Sequence, residues 1–473
     1  MKLLLFAPEL IVLIGSLLVF AVALGEARVK AARRLTIAIA VVNILVTLGC
    51  LYQGGELFFK AYRIDLFSQL FKLVISLGLG AILLFGSQLR GIEEKIRPEY
   101  YLFLLLSSLG LMMVVSCVEL LSLFVALELS SFALYLLVPM REDRGGLRIQ
   151  MEAAAKYIMF GVLATGVMLF GMSYVFGLTG STYFSEAVPA LQGLSDHPAA
   201  IVAIAMIMGG LFFKLGLFPF HFWLPDVYQG ASNETTAFIA SVPKVAAVAL
   251  LIRFATLLAP EDQTVPMLLA VLAIVSMFYG NLIALVQKDI KRMLGFSGIA
   301  HAGYVMLGIL ILKESGFATS IYYIIGYLMM NLACFLVICN VSKDGENVLI
   351  DDLSGLHQRA PLLALILAVG MFALAGIPPF VGFMGKFMLL AGALQHDYII
   401  LVILAAINTA ISIYYYLSVV RVAFTTEAEV PQEIKIGGIT KTLGIVLMAV
   451  IIIMGVVPSK VLEMATQAVR ALL

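Results

Sequence analysis

The sequence predicts an all-α polytopic membrane protein of about fourteen transmembrane helices, and composition, hydropathy and run length together carry that prediction. Of 473 residues, 62% are apolar and 12% charged, against roughly half and a quarter in soluble domains. Mean hydropathy is +1.07. The apolar residues fall into runs of about 20, the length a helix needs to cross the hydrocarbon core. These values exclude an ordinary soluble enzyme and a disordered chain. A net charge of +1, from 30 basic and 29 acidic residues, leaves no basic excess for nucleic acid.

In chain order the runs lie near 4–24, 35–52, 66–86, 101–117, 118–138, 152–178, 199–220, 236–258, 264–286, 294–312, 316–340, 362–391, 396–424 and 440–466. The first carries Pro8 and Glu9 and is too long for the apolar core of a signal peptide, so it reads as a retained span. Only Ser116, Cys117 and Glu119 separate the fourth run from the fifth. With Arg421 and Lys441 counted in the loop between the last two spans and Lys460 at the C-terminus, eighteen of the thirty basic residues follow odd-numbered spans, six lie in other loops and the termini, and six lie within spans. Positive loops stay cytoplasmic, which predicts that both termini face outside.

No segment between spans is long enough to fold as a soluble domain, and no GxxxxGK[ST] loop is present for nucleotide-driven transport. Segment 178–198 reads as a plain external loop, and 341–361, with charges of both signs, as a solvated cytoplasmic connector. The QKDIKR run (Lys288, Asp289, Lys291, Arg292) reads as an orientation signal and not a site. Cys50, Cys117, Cys334 and Cys339 form no CxxC pair and read as small buried hydrophobes, so no zinc or iron–sulfur site is expected.

A charge at the bilayer centre costs about 3 kcal/mol on insertion scales, which makes buried ionisable residues functional candidates. Depth selects Glu128 in LFVALELSSFALYLL, Lys214 in GGLFFKLGLFPFHFWLPD, Lys244 in FIASVPKVAAVALL and Lys386 in GIPPFVGFMGKFMLL. The blander reading is a snorkelling lysine or a protonated structural acid. Snorkelling is the expected state of Lys72, close to the start of its span, and of Arg253, close to the outer end of its own. Lys156 is intermediate. Desolvation favours the neutral form of either group and an opposite charge restores the charged form. A buried Glu–Lys pair is therefore switched by moving one partner, which is what a proton relay requires.

Span seven is interrupted at Gly216 and Pro219, and span twelve at Gly376, Pro378 and Pro379. Such breaks free backbone carbonyls, tolerable only against protein or enclosed water, and a lysine lies near each. The two broken spans are five apart, so a repeated five-helix unit would be inserted upside down the second time. The expected organisation is three helices over 1–100, a first repeat of spans 4–8 over 101–258, an inverted repeat of spans 9–13 over 259–424, and a last helix over 425–473. His301 and His221 are polar bridges available to a relay. His197, His357 and His396 read as solvated, and IYYYLSVVR and Trp223 as interface or packing residues.

ELSSFALYLL, FKLGLFPFHFWLPDVYQGAS, the VPKVA run, ALVQKDIKRMLGFSGIAHAGY and GIPPFVGFMGKF resemble the antiporter-like membrane subunits of respiratory complex I. That family is similar to Mrp-type sodium/proton antiporters, and the resemblance runs from span four to span thirteen. It implies that Glu128 pairs with Lys214, that Lys244 is the central relay lysine and that Lys386 leads to the opposite half-channel. His301 and Lys156 match positions of weaker role. Within the family, Lys386 in place of a glutamate separates this chain from one paralogous branch. The lack of a lateral amphipathic helix after span fourteen separates it from another, and the PELIVLIGSLLVF start suits the third.

The resemblance also implies a proton-translocating subunit of an enzyme complex, the NADH:quinone oxidoreductase. It implies no redox centre or metal in this chain; NADH, FMN, iron–sulfur clusters and quinone would belong to partner subunits. Expected partners are other membrane subunits, including paralogous antiporter-like ones, with lipid, protons and water. The alternatives are an Mrp-like cation/proton antiporter subunit, the equivalent subunit of a ferredoxin- or deazaflavin-dependent complex, and a structural scaffold. The lack of a transit peptide favours a bacterial inner membrane.

Overall fold

The computed structural model describes residues 2–25, 29–86, 89–143, 145–146, 148–194, 197–256, 264–425 and 433–472. Helices α1 (Ala7–Ala23), α2 (Val29–Gly49) and α3 (Leu66–Phe85) pack first, with an antiparallel hairpin of β1 (Gly55–Leu57) and β2 (Tyr62–Ile64) between α2 and α3. Next come α4 (Arg97–Val114), α5 (Leu120–Leu137), α6 (Ile149–Thr179), α7 (Phe184–Gln192), α8 (Pro198–Leu215), α9 (Leu224–Gly230) and α10 (Asn233–Ala255). A second set comprises α11 (Thr264–Ala284), α12 (Ile290–Ile309), α13 (Glu314–Val341), the short α14 (Leu356–Arg359), α15 (Pro361–Ala375), α16 (Val381–Gln395) and α17 (Ile399–Thr425). The chain closes with α18 (Gly438–Val456) and α19 (Ser459–Arg470).

Among the described residues, eleven helices are long and apolar enough to cross a membrane. The remaining predicted spans fall on α4 and α12, which carry more polar side chains, and on α15 and α16, each too short alone. Burial identifies the axis of the bundle: 100% of the apolar window of α10 and 83% of that of α13 is enclosed by protein. The candidate lysine Lys244 and several tyrosines ride on these two helices.

Three expectations are corrected here. Segment 178–198 is not a plain loop but contains α7, whose Phe184, Ala187 and Leu191 are buried. Their i, i+3, i+7 spacing seats one face on the bundle. Lys72 does not snorkel: it is fully buried and its ammonium lies 2.6 Å from Glu9 Oε1. Arg253 does not snorkel either, because it is buried against Asp65 at 3.2 Å and donates to Val115 O at 3.1 Å. The physical reason is shared. The hairpin and the α4–α5 connection join through a Tyr62–Cys117 bridge and cover that end of the bundle.

Local capping explains where the helices begin. Asp65 accepts from Ser68 N at 2.7 Å to start α3, and Asp289 accepts from Arg292 N at 3.0 Å to start α12, each meeting a first-turn donor. Glu119 does the same for α5 from Leu121 N and Ser122 N. Burial opposes its ionisation, yet hydrogen bonds from Thr182, Ser122 and Leu121 hold its carboxyl below the usual carboxylate range.

The two interrupted spans stop in one way. Gly216 and Gly376 cap α8 and α15 in the left-handed conformation, with φ of +71° and +86°. The following N–H turns back in both, Leu217 N to Phe212 O at 2.9 Å and Ile377 N to Phe372 O at 3.0 Å. This six-to-one bond is the glycine-terminated helix end expected of such caps. Other joints match as well. A Cβ on Gly110 would come 2.6 Å from Ser130 N on α5, and one on Gly280 would come 2.7 Å from Ala300 N on α12. Close backbone approach therefore fixes α4 on α5 and α11 on α12.

Gly216→Ala should lower thermal stability, because a Cβ there meets Leu224 Cδ1 at 2.2 Å and the left-handed conformation costs about 1–2 kcal/mol. Gly166→Ala, where nothing lies within 4 Å, should not. Heating the detergent-purified protein and following its monodisperse elution peak checks the pair.

Candidate functional site

Lys214 sits at the end of α8, one residue before the helix stops, where the break holds it inside the bundle. Its ammonium donates to Ser131 Oγ on α5, and Ser131 in turn donates to Leu127 O at 2.6 Å. Glu128 lies one turn back on the same face of α5, half-buried, and its Oε1 has no hydrogen-bond partner. Among the described residues no ion pair joins Glu128 to Lys214. The pairing implied by the resemblance is therefore not made directly in this structure, since the ammonium stops one turn away on Ser131.

Lys244 is 2% exposed in the middle of α10. Its Nζ donates to the Tyr327 hydroxyl on α13 at 3.3 Å and lies 5.4 Å and 5.9 Å from the ring centroids of Tyr327 and Tyr228. Gly298 on α12 makes this placement possible, because a Cβ there would lie 2.6 Å from Lys244 Nζ. A cavity of about 10 Å³ separates Lys244 from His301, with Gly298, Leu215 and Tyr327 in its wall.

His301 is also buried on α12. Its Nδ1 lies 2.6 Å from the Tyr323 hydroxyl on α13, and its Nε2 lies 3.1 Å from the Tyr416 hydroxyl on α17. One turn further along α12, the Tyr304 hydroxyl lies 2.9 Å from Ala405 O and 2.7 Å from Thr409 Oγ1. The Tyr304 ring centroid lies 4.8 Å from the ammonium of Lys386 on α16. Lys386, 3% exposed, donates to Leu374 O at 3.0 Å and Ala375 O at 3.1 Å, the carbonyls freed where α15 ends. With the His301 ring 5.0 Å from that of Tyr327 and 6.3 Å from that of Tyr304, Lys244, Tyr327, His301, Tyr304 and Lys386 lie in succession from the last helix of the first set into the second. Every member can carry or relay a proton.

Tyr416 was expected only to pack, yet its hydroxyl touches His301. Tyr304, Tyr323 and Tyr327 were not singled out at all, because a search for charges passes over neutral phenols. The available signals were the i, i+4 recurrence of Tyr323 and Tyr327 on α13 and the i, i+3 spacing of His301 and Tyr304 on α12. Trp223 packs as expected, stacked 4.6 Å from the Tyr157 ring, and its Nε1 donates to Phe213 O at 3.1 Å beside the backbone bond from Gly216 N.

Lys156 lies apart from this line. Its side chain is 37% exposed and pairs with Glu152 and Asp226, each at 2.7 Å. Asp226 also holds Arg292 at 2.6 Å. Lys291 is buried and donates to Ala231 O at 2.8 Å. The QKDIKR run is therefore more than an orientation signal, since it clamps α9 to the start of α12. His221 is buried in the α8–α9 connection, 4.2 Å from the Tyr279 ring centroid, and neither ring nitrogen is hydrogen-bonded. The other histidines are not simply solvated: His197 caps α8, while His357 and His396 donate to Ala423 O and Gly392 O. Among the described residues no group of three His, Cys, Asp or Glu side chains is placed to hold a metal ion.

Residues 117–412, which contain Glu128, Lys214, Lys244, His301 and Lys386, match the family described as NADH:quinone oxidoreductase/Mrp antiporter, TM. The chain belongs to that family. A relative from Opitutus terrae, named NADH-quinone oxidoreductase subunit N 2, is 50% identical over 468 residues, 99% of this chain and 98% of its own. Among solved structures, a chain of respiratory complex I from Thermus thermophilus with bound aureothin is 30% identical. It superposes with a TM-score of 0.84 over 97% of this chain and 99% of its own. A chain of the Mrp complex from Dietzia sp. has the same fold, with 21% identity and a TM-score of 0.87 over 100% of this chain and 98% of its own. Helices α1–α3 precede the segment matched by this NADH:quinone oxidoreductase/Mrp antiporter family.

Gly298→Ala should displace the Lys244 ammonium from Tyr327 while leaving the backbone in place, because the added methyl meets the free end of a flexible side chain. The expected outcome is reduced proton translocation in vesicles with normal assembly, checked by dye quenching alongside the purified subunit profile.

Proposed function

We propose that the chain is the proton-translocating N subunit of an NADH-quinone oxidoreductase. Protons would move along its buried lysines while partner subunits carry electrons from NADH to quinone. The observation that carries this reading is the line of Lys244, Tyr327, His301, Tyr304 and Lys386 through the bundle, with Lys214 at the break of α8. The name of the 50% identical relative supports the branch, and the likeness to a Thermus thermophilus complex I chain supports assembly with other membrane subunits. FMN, iron–sulfur clusters and quinone belong, on this reading, to those partners.

The same proposal covers the finer architecture. It comprises about fourteen spans, with spans 4–8 over 101–258 and 9–13 over 259–424 as inverted copies. The three-helix unit 1–100 precedes them, and 425–473 follows with one span, α18, and the short α19 after it. The matching glycine caps at Gly216 and Gly376 and the matching Gly110 and Gly280 joints support the repeat. The distribution of basic residues supports both termini outside a bacterial inner membrane.

In the mechanism, Glu128, Lys214, Lys244 and Lys386 are the relay residues, with His301 as a bridge and Lys156 as a peripheral member. Lys214 exchanges its Ser131 contact for Glu128 when quinone reduction perturbs the membrane arm. A carboxylate beside an ammonium favours the charged form far more than a hydroxyl does, so this rotation loads and unloads one proton. The proton passes to Lys244 and on through Tyr327, His301 and Tyr304 to Lys386. Moving a charge against the membrane potential takes about 2.3 kcal/mol per 100 mV. A change of two pKa units corresponds to about 2.7 kcal/mol, so rearranging a single pair is sufficient in scale.

Lys214→Ala and Lys244→Ala should each lower proton translocation and coupled quinone reduction while leaving NADH oxidation by an artificial acceptor intact. Normal translocation in both would overturn the relay. The likeness in fold to the Mrp chain supports a second reading, a cation/proton antiporter subunit. It requires sodium-dependent exchange and purification without flavin- and iron–sulfur-containing companions, which mass spectrometry of the purified assembly decides.

A further inference from the structure

The three-helix unit ahead of the family segment holds a buried charged site of its own. Glu9 on α1 and Lys72 on α3 are both completely enclosed, 2.6 Å apart. The Tyr62 hydroxyl, from β2, donates to Glu9 Oε1 at 2.5 Å, and the Lys72 ammonium lies 5.2 Å from the centroid of the same ring. Removing two charges from water is offset only when their remaining protons and lone pairs are also met. Protein does not meet them here: Glu9 Oε2 has no hydrogen-bond partner, and Lys72 Nζ has none beyond the ion pair itself.

More unmet groups surround the pair. Both ends of the Gln69 amide, Asn43 Oδ1 and Ser116 Oγ are buried without partners. Gln69 lies one turn from Lys72 on α3. Asn43 on α2 donates to Ser76 Oγ, which donates to Lys72 O. Ser116 O accepts from Arg63 N, next to Tyr62. Asp65, Gln69, Lys72 and Ser76 recur at helical spacing, so they form one stripe about 17 Å long running inward from the hairpin end. At its outer end Asp65 holds Arg253, which belongs to α10, the helix carrying Lys244 about 14 Å deeper. Buried polar groups are almost always partnered, and a cluster of orphans around one ion pair is the signature of enclosed water. An ion pair serving only to hold α1 against α3 requires no such cluster.

We propose that Glu9 and Lys72 form a second proton-holding site, hydrated from the hairpin end and separate from the Lys214–Lys386 line. Its service to translocation rests on the function proposed above; its titration does not. A hydronium ion at the hairpin end gives its proton to the Glu9 carboxylate. This leaves water and the neutral acid beside the Lys72 ammonium, and the net charge of the pair rises from zero to plus one. Release reverses the step and restores the ion pair. The groups facing the pair are Tyr62 from the hairpin, Cys50 from the end of α2 and Cys117 from the α4–α5 connection. Asp65, Glu119 and Arg253 are the charges beyond them.

The test is pH-difference infrared spectroscopy of the intact purified complex, which reads protonated carboxyl groups directly. Glu9→Gln preserves the side-chain volume and the acceptor for Tyr62, and it should lose one carboxyl band. Tyr62→Phe, which removes only the hydroxyl donor, should shift that band. Unchanged bands in both variants overturn the proposal. Proton translocation read in parallel separates the two ideas. Loss in Lys244→Ala with unchanged bands in Glu9→Gln sinks only the second site, whereas normal translocation in Lys214→Ala and Lys244→Ala sinks the function that it would serve.

Discussion

Hydrocarbon offers no hydrogen bonds, so each carbonyl released by a helix break must find a donor within the protein. That constraint organises the centre of this chain. Where α15 ends, the Lys386 ammonium takes Leu374 O and Ala375 O. Where α8 ends, Phe213 O accepts from Gly216 N and from the Trp223 indole. The last carbonyls of the short α9 are met by Arg141 on Gln229 O, Lys291 on Ala231 O and Asn347 on Gln229 O. Cations suit these places twice over, because the C-terminal end of a helix carries partial negative charge. A break thus supplies the reason for a lysine at membrane depth, and the lysine supplies the condition under which the break is tolerable.

Aromatic rings do the remaining work of holding ammonium groups in an enclosed bundle. Lys244 faces Tyr327 and Tyr228, Lys386 faces Tyr304, and Lys72 faces Tyr62. Contacts of this kind contribute about 0.5–2 kcal/mol each. The same residue type provides a π face for the charge and a hydroxyl at its edge, so a phenol both shelters a lysine and links it to the next polar group. His301 illustrates the second use, with a tyrosine hydroxyl on each ring nitrogen.

Much of this was legible in the sequence, for physical reasons. Span length follows from bilayer thickness, and Gly216, Pro219, Gly376 and Pro379 announce breaks because no other residues serve those backbone positions so well. Depth along an apolar run correctly marked Lys244 and Lys386 as buried. Depth failed for Lys72 and Arg253, because proximity to a helix end implies water only if that end is open, and here the hairpin closes it. The partners of Lys72 could not be read either: Glu9 sits in the first turn of α1, and Tyr62 lies 53 residues from it in sequence. Lys156 was ambiguous for a like reason, since Asp226 reaches it from 70 residues away through the geometry of a broken span. The tyrosines around His301 were invisible to a reading based on charge.

The space between Lys244 and His301 is about 10 Å³, the lower limit for one water molecule. A continuous file of water does not fit in such a gap, so on the function proposed above a proton would cross here on the side chains that line it and not along a water column. A membrane that stores energy as a proton gradient needs such narrowness, since an open water column would discharge it. Gly298, by leaving room for an ammonium and little else, sets the width of the gap. On the proposed function, a residue without a side chain would thereby hold the gap thin enough to cross and too narrow to leak.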